Sequence, residues 1–435
     1  MAYIDNILFV LILFVGVAFF ARSVQKISRN IKLGRDVNRS DNASARWKNM
    51  AMIALGQSKM VKRPISGVLH LIVYLGFLII NIELLEIIID GIFGTHRIFS
   101  FLGTAYSFLI GSFEVLAVLI LLTVTIFWVR RNVLNIKRFT SSDLNGKPRN
   151  DANYILYFEV VIMSLFLTMN AADFKFQIEN SGNIVSQFIA PLFYSFDLTT
   201  VNIIERTAWW LHIIGILVFL NYLYFSKHLH ILLAFPNTYF ADLNAQGKFD
   251  NLESVTKEVK LMMDPNADPF AAQPVDENAV PSKFGASDVQ DLNWVQLLNA
   301  YTCTECGRCT SSCPANQTGK KLSPRKIMMD TRDRLEEVGR NIDANKGVFV
   351  PDNKSLLNDY ITPEELWACT SCNACVEECP VNISPLSIIM DMRRYLVMEQ
   401  SAAPQSLNAM MTNIENNGAP WPYNQMDRLN WKDEN

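Results

Sequence analysis

All eight cysteines of this 435-residue chain fall in two runs, "CTECGRCTSSCP" (303–314) and "CTSCNACVEECP" (369–380). Each run reads C-x2-C-x2-C-x3-C-P, the ligand spacing of a protein with two 4Fe-4S clusters. Three closely spaced thiolates wrap one cubane from a single loop, and the fourth points away to ligate the other cubane. Cluster one is therefore expected on Cys303, Cys306, Cys309 and Cys379, and cluster two on Cys369, Cys372, Cys375 and Cys313. Pro314 and Pro380 turn the chain away after the last ligand. Zinc is the competing reading, but it takes four ligands per site, commonly as two CxxC pairs. Two identical four-cysteine runs with a trailing proline favour cubanes. Adjacent clusters make a one-electron relay and define no substrate. No cysteine is left over for a disulfide, so the thiols suit metal binding in a reducing compartment.

The histidines are the second set of candidate ligands. The apolar stretch "WWLHIIGILVFLNYLYFSKHLH" (209–230) holds three of the chain's five. On an unbroken helix, His212 and His230 share one face about 27 Å apart, with His228 about 160° away. His228, beside Lys227, then reads as a headgroup or propionate contact. His70 and His96 flank another apolar stretch. If the two stretches run antiparallel, His70 lies level with His230, and His96 roughly level with His212. Facing imidazoles suit bis-histidine haem b. One haem is expected on His70 and His230 near the inner surface, and a second on His96 and His212 near the outer surface. The alternative for the outer pair is a solvated His96, with His212 hydrogen-bonded to a quinone. Arg130, Arg131 and Lys227 suit haem propionates or, more commonly, lipid phosphates. Glu83, Glu86, Glu114 and Glu159 also fall in apolar segments, where an ionised carboxylate is costly. Glu83 and Glu86 read either as proton-handling groups for a quinone or as interfacial residues or partners of Arg97.

Five segments are long and apolar enough to position these groups in a bilayer: about 4–21, 68–89, 101–129, 154–171 and 208–225. A sixth, 184–196, is too short and contains Pro191, so it reads as re-entrant or interfacial. The loop 22–66 holds eleven Lys/Arg and the loop 130–153 holds six, against one and two in the loops on the other side. That bias puts the N-terminus outside and everything beyond Leu233 in the cytoplasm. The expected organisation is a transmembrane haem b domain (1–235), a polar, Pro-containing linker of extended or irregular backbone (236–287), a cytoplasmic two-cluster domain (288–400) and a polar tail (401–435). The first helix has Asp5 and no leading Lys/Arg, so an uncleaved helix is expected. Start signals at "SPRK" and "TPEE" make helical spacers around the cysteine runs. The fold class expected is all-α: a five-helix transmembrane bundle and an α-helical ferredoxin domain. A net charge of −3 and the absence of a glycine-rich phosphate loop speak against a nucleic-acid or nucleotide partner.

With these residues in place, the chain resembles a known family. Its membrane half, through "WLH…SKHLH", is similar to the haem b subunit of respiratory nitrate reductase and to its heterodisulfide reductase counterpart. Its cysteine runs resemble the two-cluster subunit of heterodisulfide reductases. The fused arrangement resembles membrane iron–sulfur proteins proposed to pass electrons from electron transfer flavoprotein to menaquinone. The resemblance implies a multi-pass protein of the bacterial inner membrane that exchanges electrons with menaquinone. It also implies a CCG-type iron–sulfur domain, for which no cysteine remains here, so that domain is expected on a partner chain. One departure stands out. The nitrate reductase protein carries two haem ligands ten residues apart in span two, and ten after His70 comes Ile80. A heterodisulfide-type thiol–disulfide oxidoreductase subunit is the rival enzyme reading. A redox-sensing or structural membrane iron–sulfur protein is the rival outside enzymes.

Overall fold

The computed structural model describes residues 3–134, 136–179, 182–266 and 283–433. Pro269, Pro274 and Pro281 of the expected linker lie outside the described residues. Among the described residues the chain is all-α with no strand, and five helices are long and apolar enough to cross a membrane. They are Ile4–Ile31, Pro64–Phe93, Thr104–Asn132, Lys147–Ala172 and Leu198–Phe225. Consecutive spans two to five pack side by side, and span one lies against spans two and five. Ile110, Phe113, Ala117 and Ile120 of span three form the dry centre with Phe166 of span four and Ile213 of span five. Span one turns Leu11, Phe14 and Phe19 outward, as a lipid-facing helix should. Its contact with span two needs a glycine: a Cβ on Gly91 would stand 2.5 Å from the Phe9 ring.

Two boundaries differ from the sequence reading, with consequences for the histidines. Span five begins at Leu198, about ten residues before the expected start, because the Asp197 side chain accepts the Thr200 amide (3.1 Å) and caps the helix there. The polar residues of "TTVNIIER" mask that start. The same helix also breaks. Its regular part ends at Tyr222, Ser226 is extended (φ −116°, ψ 147°), and a new helix runs His230–Tyr239. Counting 100° per residue from His212 to His230 therefore fails. The stretch 184–196 does not cross: a four-residue helix Ser186–Ile189 leads into a 3-10 turn, Ala190–Phe193. Its start is held by the buried Glu114 carboxylate, which accepts the Val185 (2.7 Å) and Ser186 (3.0 Å) amides. The region expected to be irregular linker (236–287) takes in the end of one helix, His230–Tyr239, and all of another, Glu253–Met263.

Each cysteine run follows a helix, Trp294–Thr302 for the first and Pro363–Ala368 for the second. The start signals act as expected: Ser323 caps Pro324–Ala344, and Thr362 with Glu365 forms a capping box. Leu297, Ile327, Leu335, Val338 and Ile388 make the core of this half.

The Lys/Arg-rich loops are where this half is seated. Arg325, fully buried, donates to both Asp143 carboxylate oxygens (3.0 and 2.6 Å) and to the Arg138 carbonyl (2.7 Å). Arg308 reaches the Lys59 (3.2 Å) and Met60 (3.1 Å) carbonyls just before span two. Asn30, at the end of span one, donates to the Tyr301 hydroxyl (2.9 Å), and Asn237 donates to the Val381 carbonyl (2.7 Å).

Candidate metal centres

The two cysteine runs fold alike. Their third residues, Glu305 and Ser371, have φ of +55° and +56°, and their fifth residues, Gly307 and Asn373, have +71° and +59°. These left-handed residues curl each loop back on itself between its first three cysteines. A four-residue helix follows each loop, Arg308–Ser311 and Ala374–Glu377, and carries the chain to the fourth cysteine. Cys303, Cys306, Cys309 and Cys379 line one cavity together with Cys375. Cys375 in turn lies within electrostatic reach of Cys369, Cys313 and Cys372. Each fourth cysteine thus sits with the other run's triplet. Among the described residues, no three of His, Cys, Asp and Glu gather tightly enough to grip a single ion. Thiols standing round a cavity suit a cubane better than a zinc ion, whose bonds of about 2.3 Å need the sulfurs at one point. Burial pushes the Cys303 and Cys375 thiols up to about 12 and Cys379 up to about 11, so iron must displace their protons on entry. Backbone amides point at sulfur from Ser371 to Cys369 (3.4 Å) and from Ile383 to Cys379 (3.3 Å), a device that tunes cluster potential. Cys372 is exposed, whereas Cys303, Cys313, Cys375 and Cys379 are buried.

The structure brings His70 and His230 together, with ring centroids 6.4 Å apart. Two metal–imidazole bonds of about 2 Å, in line through two rings, span about 6 Å. His230 Nδ1 lies 3.1 Å from the Lys227 carbonyl, which leaves Nε2 free, and His70 Nδ1 is buried with no partner. The pair fits what a haem iron between the rings would need, with one ring already oriented from behind. His228 does not face headgroups, because its ring packs on Phe219 (5.4 Å) and His230 (5.3 Å). The helix break at Ser226 puts it there.

His96 and His212 are not brought together. His96 is exposed and pairs with Asp173 (3.2 Å), at the C-terminal end of span four. His212 packs on Phe166, with Nδ1 3.0 Å from the Ile162 carbonyl. Asp173 and Ile162 are eleven residues apart along that span, about 16 Å. The early start of span five explains this: His212 sits at mid-helix, while Gly94 (φ +70°) ends span two and leaves His96 on the surface.

Arg97 is buried among acceptors: Asp173 (3.0 Å), Asn170 (2.9 Å) and the Tyr106 hydroxyl (3.3 Å). Burial raises Asp173, but His96 and Arg97 outweigh it and hold its carboxyl far below the usual range. Glu86 accepts from the Phe99 amide and the Tyr106 hydroxyl, both at 2.9 Å. Glu83 is 3% exposed, and one of its oxygens has no partner.

Glu305 and Lys227 have a contact that sequence reasoning missed. Glu305, inside the first run and 5% exposed, accepts from Lys227 and from Arg332 (2.9 Å). Burial alone would raise its carboxyl, yet these two cations hold it below the usual value. The available signal was a carboxylate between two cluster cysteines, where Ser371 stands in the other run.

Fold and site define a multi-pass membrane protein carrying a 4Fe-4S dicluster domain, and the family described by that name matches residues 302–383. The relatives are iron–sulfur oxidoreductases. The probable iron-sulfur-binding oxidoreductase FadF of Bacillus subtilis is 29% identical over 99% of this chain and 61% of its own length. The EtfAB:quinone oxidoreductase of Syntrophomonas wolfei is 26% identical over 92% of this chain and 55% of its own. A subunit of the ferredoxin/F(420)H(2)-dependent CoB-CoM heterodisulfide reductase of Methanosarcina acetivorans is 32% identical over 25% of this chain and 53% of its own. The chain thus spans between half and two thirds of the length of these relatives. No solved structure matches it. The expected resemblance to heterodisulfide reductases and to flavoprotein-linked quinone oxidoreductases is borne out at this level.

Proposed function

We propose that this chain relays electrons between a cytoplasmic donor and menaquinone in the bacterial inner membrane, through two 4Fe-4S clusters and one haem b. The carrying observation is the seating of the first cysteine run beside the facing His70 and His230 rings, with Lys227 in contact with both. Cys303, Cys306, Cys309 and Cys379 would hold cluster one, and Cys369, Cys372, Cys375 and Cys313 cluster two. His70 and His230 would hold the haem. When bound, these groups take up and release one electron at a time. The protein's part is to fix their spacing, exclude water and orient ligands. Exposure supports this order of centres: Cys372 opens the second site towards a donor, while the first site is covered by the loop before span two and by Lys227. Glu83, a buried carboxyl with a free oxygen, is the group to exchange a proton with quinone, whereas Glu86 is committed to Tyr106 and Phe99. His96 and His212 are not proposed as ligands.

The donor reading rests on relatives. One is named for EtfAB and quinone, so electron transfer flavoprotein is the proposed source, reached through a CCG-domain partner chain. The likeness of the iron–sulfur half to a heterodisulfide reductase favours, as a second reading, a thiol–disulfide oxidoreductase subunit. The test is the reduced-minus-oxidised spectrum of the purified complex, with iron and haem quantified and companion chains identified. Haem b bands that answer to menaquinol support the relay. Iron without haem contradicts it and leaves a sensing or structural role.

A further inference from the structure

Non-glycine residues rarely take left-handed backbone, because the side chain crowds the following carbonyl. Ser371 does so in the second run, with its hydroxyl near only the Met390 sulfur (3.9 Å). Glu305 does so in the first, and both its oxygens are engaged, one by Lys227 and one by Arg332. Lys227 is itself anchored in the membrane half. Its ammonium also donates to the Pro148 carbonyl (2.7 Å), its amide donates to Asp151 (3.1 Å), and its carbonyl lies 3.1 Å from His230 Nδ1. One residue therefore holds the Cys303–Cys306 loop with its side chain and the His230 ring with its backbone. Burying two charges brings little net stability that apolar residues of like volume would not bring, so geometry is the better reason for the pair.

We infer that Lys227 and Glu305 are positioning residues that lock the first cysteine run against the His70–His230 site and set the charge felt by the first cluster. This rests on the electron-relay reading. Tuning should be specific to the first cluster, because Ser371 stands where Glu305 does and the second run's own ion pairs, Glu377–Lys62 and Glu378–Arg63, flank Cys379 of the first site.

The test uses the full-length membrane protein with its clusters in place, comparing Lys227→Met, Glu305→Gln and Lys227→Arg by EPR-monitored redox titration. Losing the nearby cation should lower the potential of the first cluster, losing the nearby anion should raise it, and the second should not move. Where haem is present, its reduction by the clusters should slow about tenfold or more in the first two variants, and Lys227→Arg should restore it. Glu305→Gln keeps the side-chain shape and decides the matter if Lys227→Met does not assemble. Shifts of the same sign, shifts of both clusters, or unchanged potentials overturn the inference. The potentials need only the clusters. Failure of the relay reading shows separately, as absence of haem from the parent protein.

Discussion

Cys379 belongs to the second run by sequence and to the first cluster site by position. Its replacement by serine should therefore disturb the EPR signal of the cluster on Cys303, Cys306 and Cys309 and spare the other. Loss of the signal from the run containing Cys379 instead would contradict the exchange of fourth ligands. Glu83→Gln keeps the volume of a buried carboxyl and removes its proton exchange. Menaquinol-linked turnover should fall by about two orders of magnitude, the scale of general acid–base catalysis, with cluster spectra unchanged, and steady-state assay in membranes checks both. The cysteine sites were legible because their spacing is local: a loop of seven residues carries three thiols, and no distant contact alters that. The histidines were only partly so. His70 and His230 meet as the antiparallel spans suggest, but His96 and His212 depended on where span five begins. That start is fixed by Asp197, a cap that hydropathy does not register. Lys227 and Glu305 are 78 residues apart, and no local pattern joins them.

The elements that seat the iron–sulfur half are the loops first noticed for their charge. Positive charge on one side gave an orientation, while the use of particular cations needed the fold. Arg46, 1% exposed, donates to the Tyr239 (3.2 Å) and Ala241 (3.0 Å) carbonyls, and Arg325 binds Asp143. Burial alone would raise the Asp143 carboxyl, but hydrogen bonds from Arg325 and Ser141 and the Arg325 charge hold it below the usual value. A depressed carboxyl stabilises the seated form above its unfolded value of about 3.9, and that contribution is lost as pH falls through the lower folded value. Asp143→Asn should imitate the acid state at neutral pH. It leaves Arg325 buried without a counter-charge, at a cost of about 3–5 kcal/mol. Hydrogen exchange at residues 138–144 and 325–328 should rise in this variant. Unchanged protection would mean that the ion pair does not hold the halves together.

At the scale of the whole molecule, the proposed relay runs from the iron–sulfur half into the bundle. Cys372 opens to water at one end. The first cysteine run meets Lys227 through Glu305 and the loop before span two through Arg308, and Glu83 lies in the far half of span two. The all-α class and the five spans were legible from apolar length and helix start signals. The break at Ser226 was not, because "YLYFSKHLH" has neither glycine nor proline to mark it. It is this break that turns His228 inward and brings His230 to His70. The account stands on that meeting of imidazoles beside the first cysteine run. Its most direct test is the visible spectrum of the purified protein, reduced by dithionite and by menaquinol, compared with that of a His70→Ala variant. One haem b per chain, reducible by both and lost from the variant while both clusters remain, is the predicted result. A parent protein with its clusters but no haem, or a variant that keeps its haem, would contradict it.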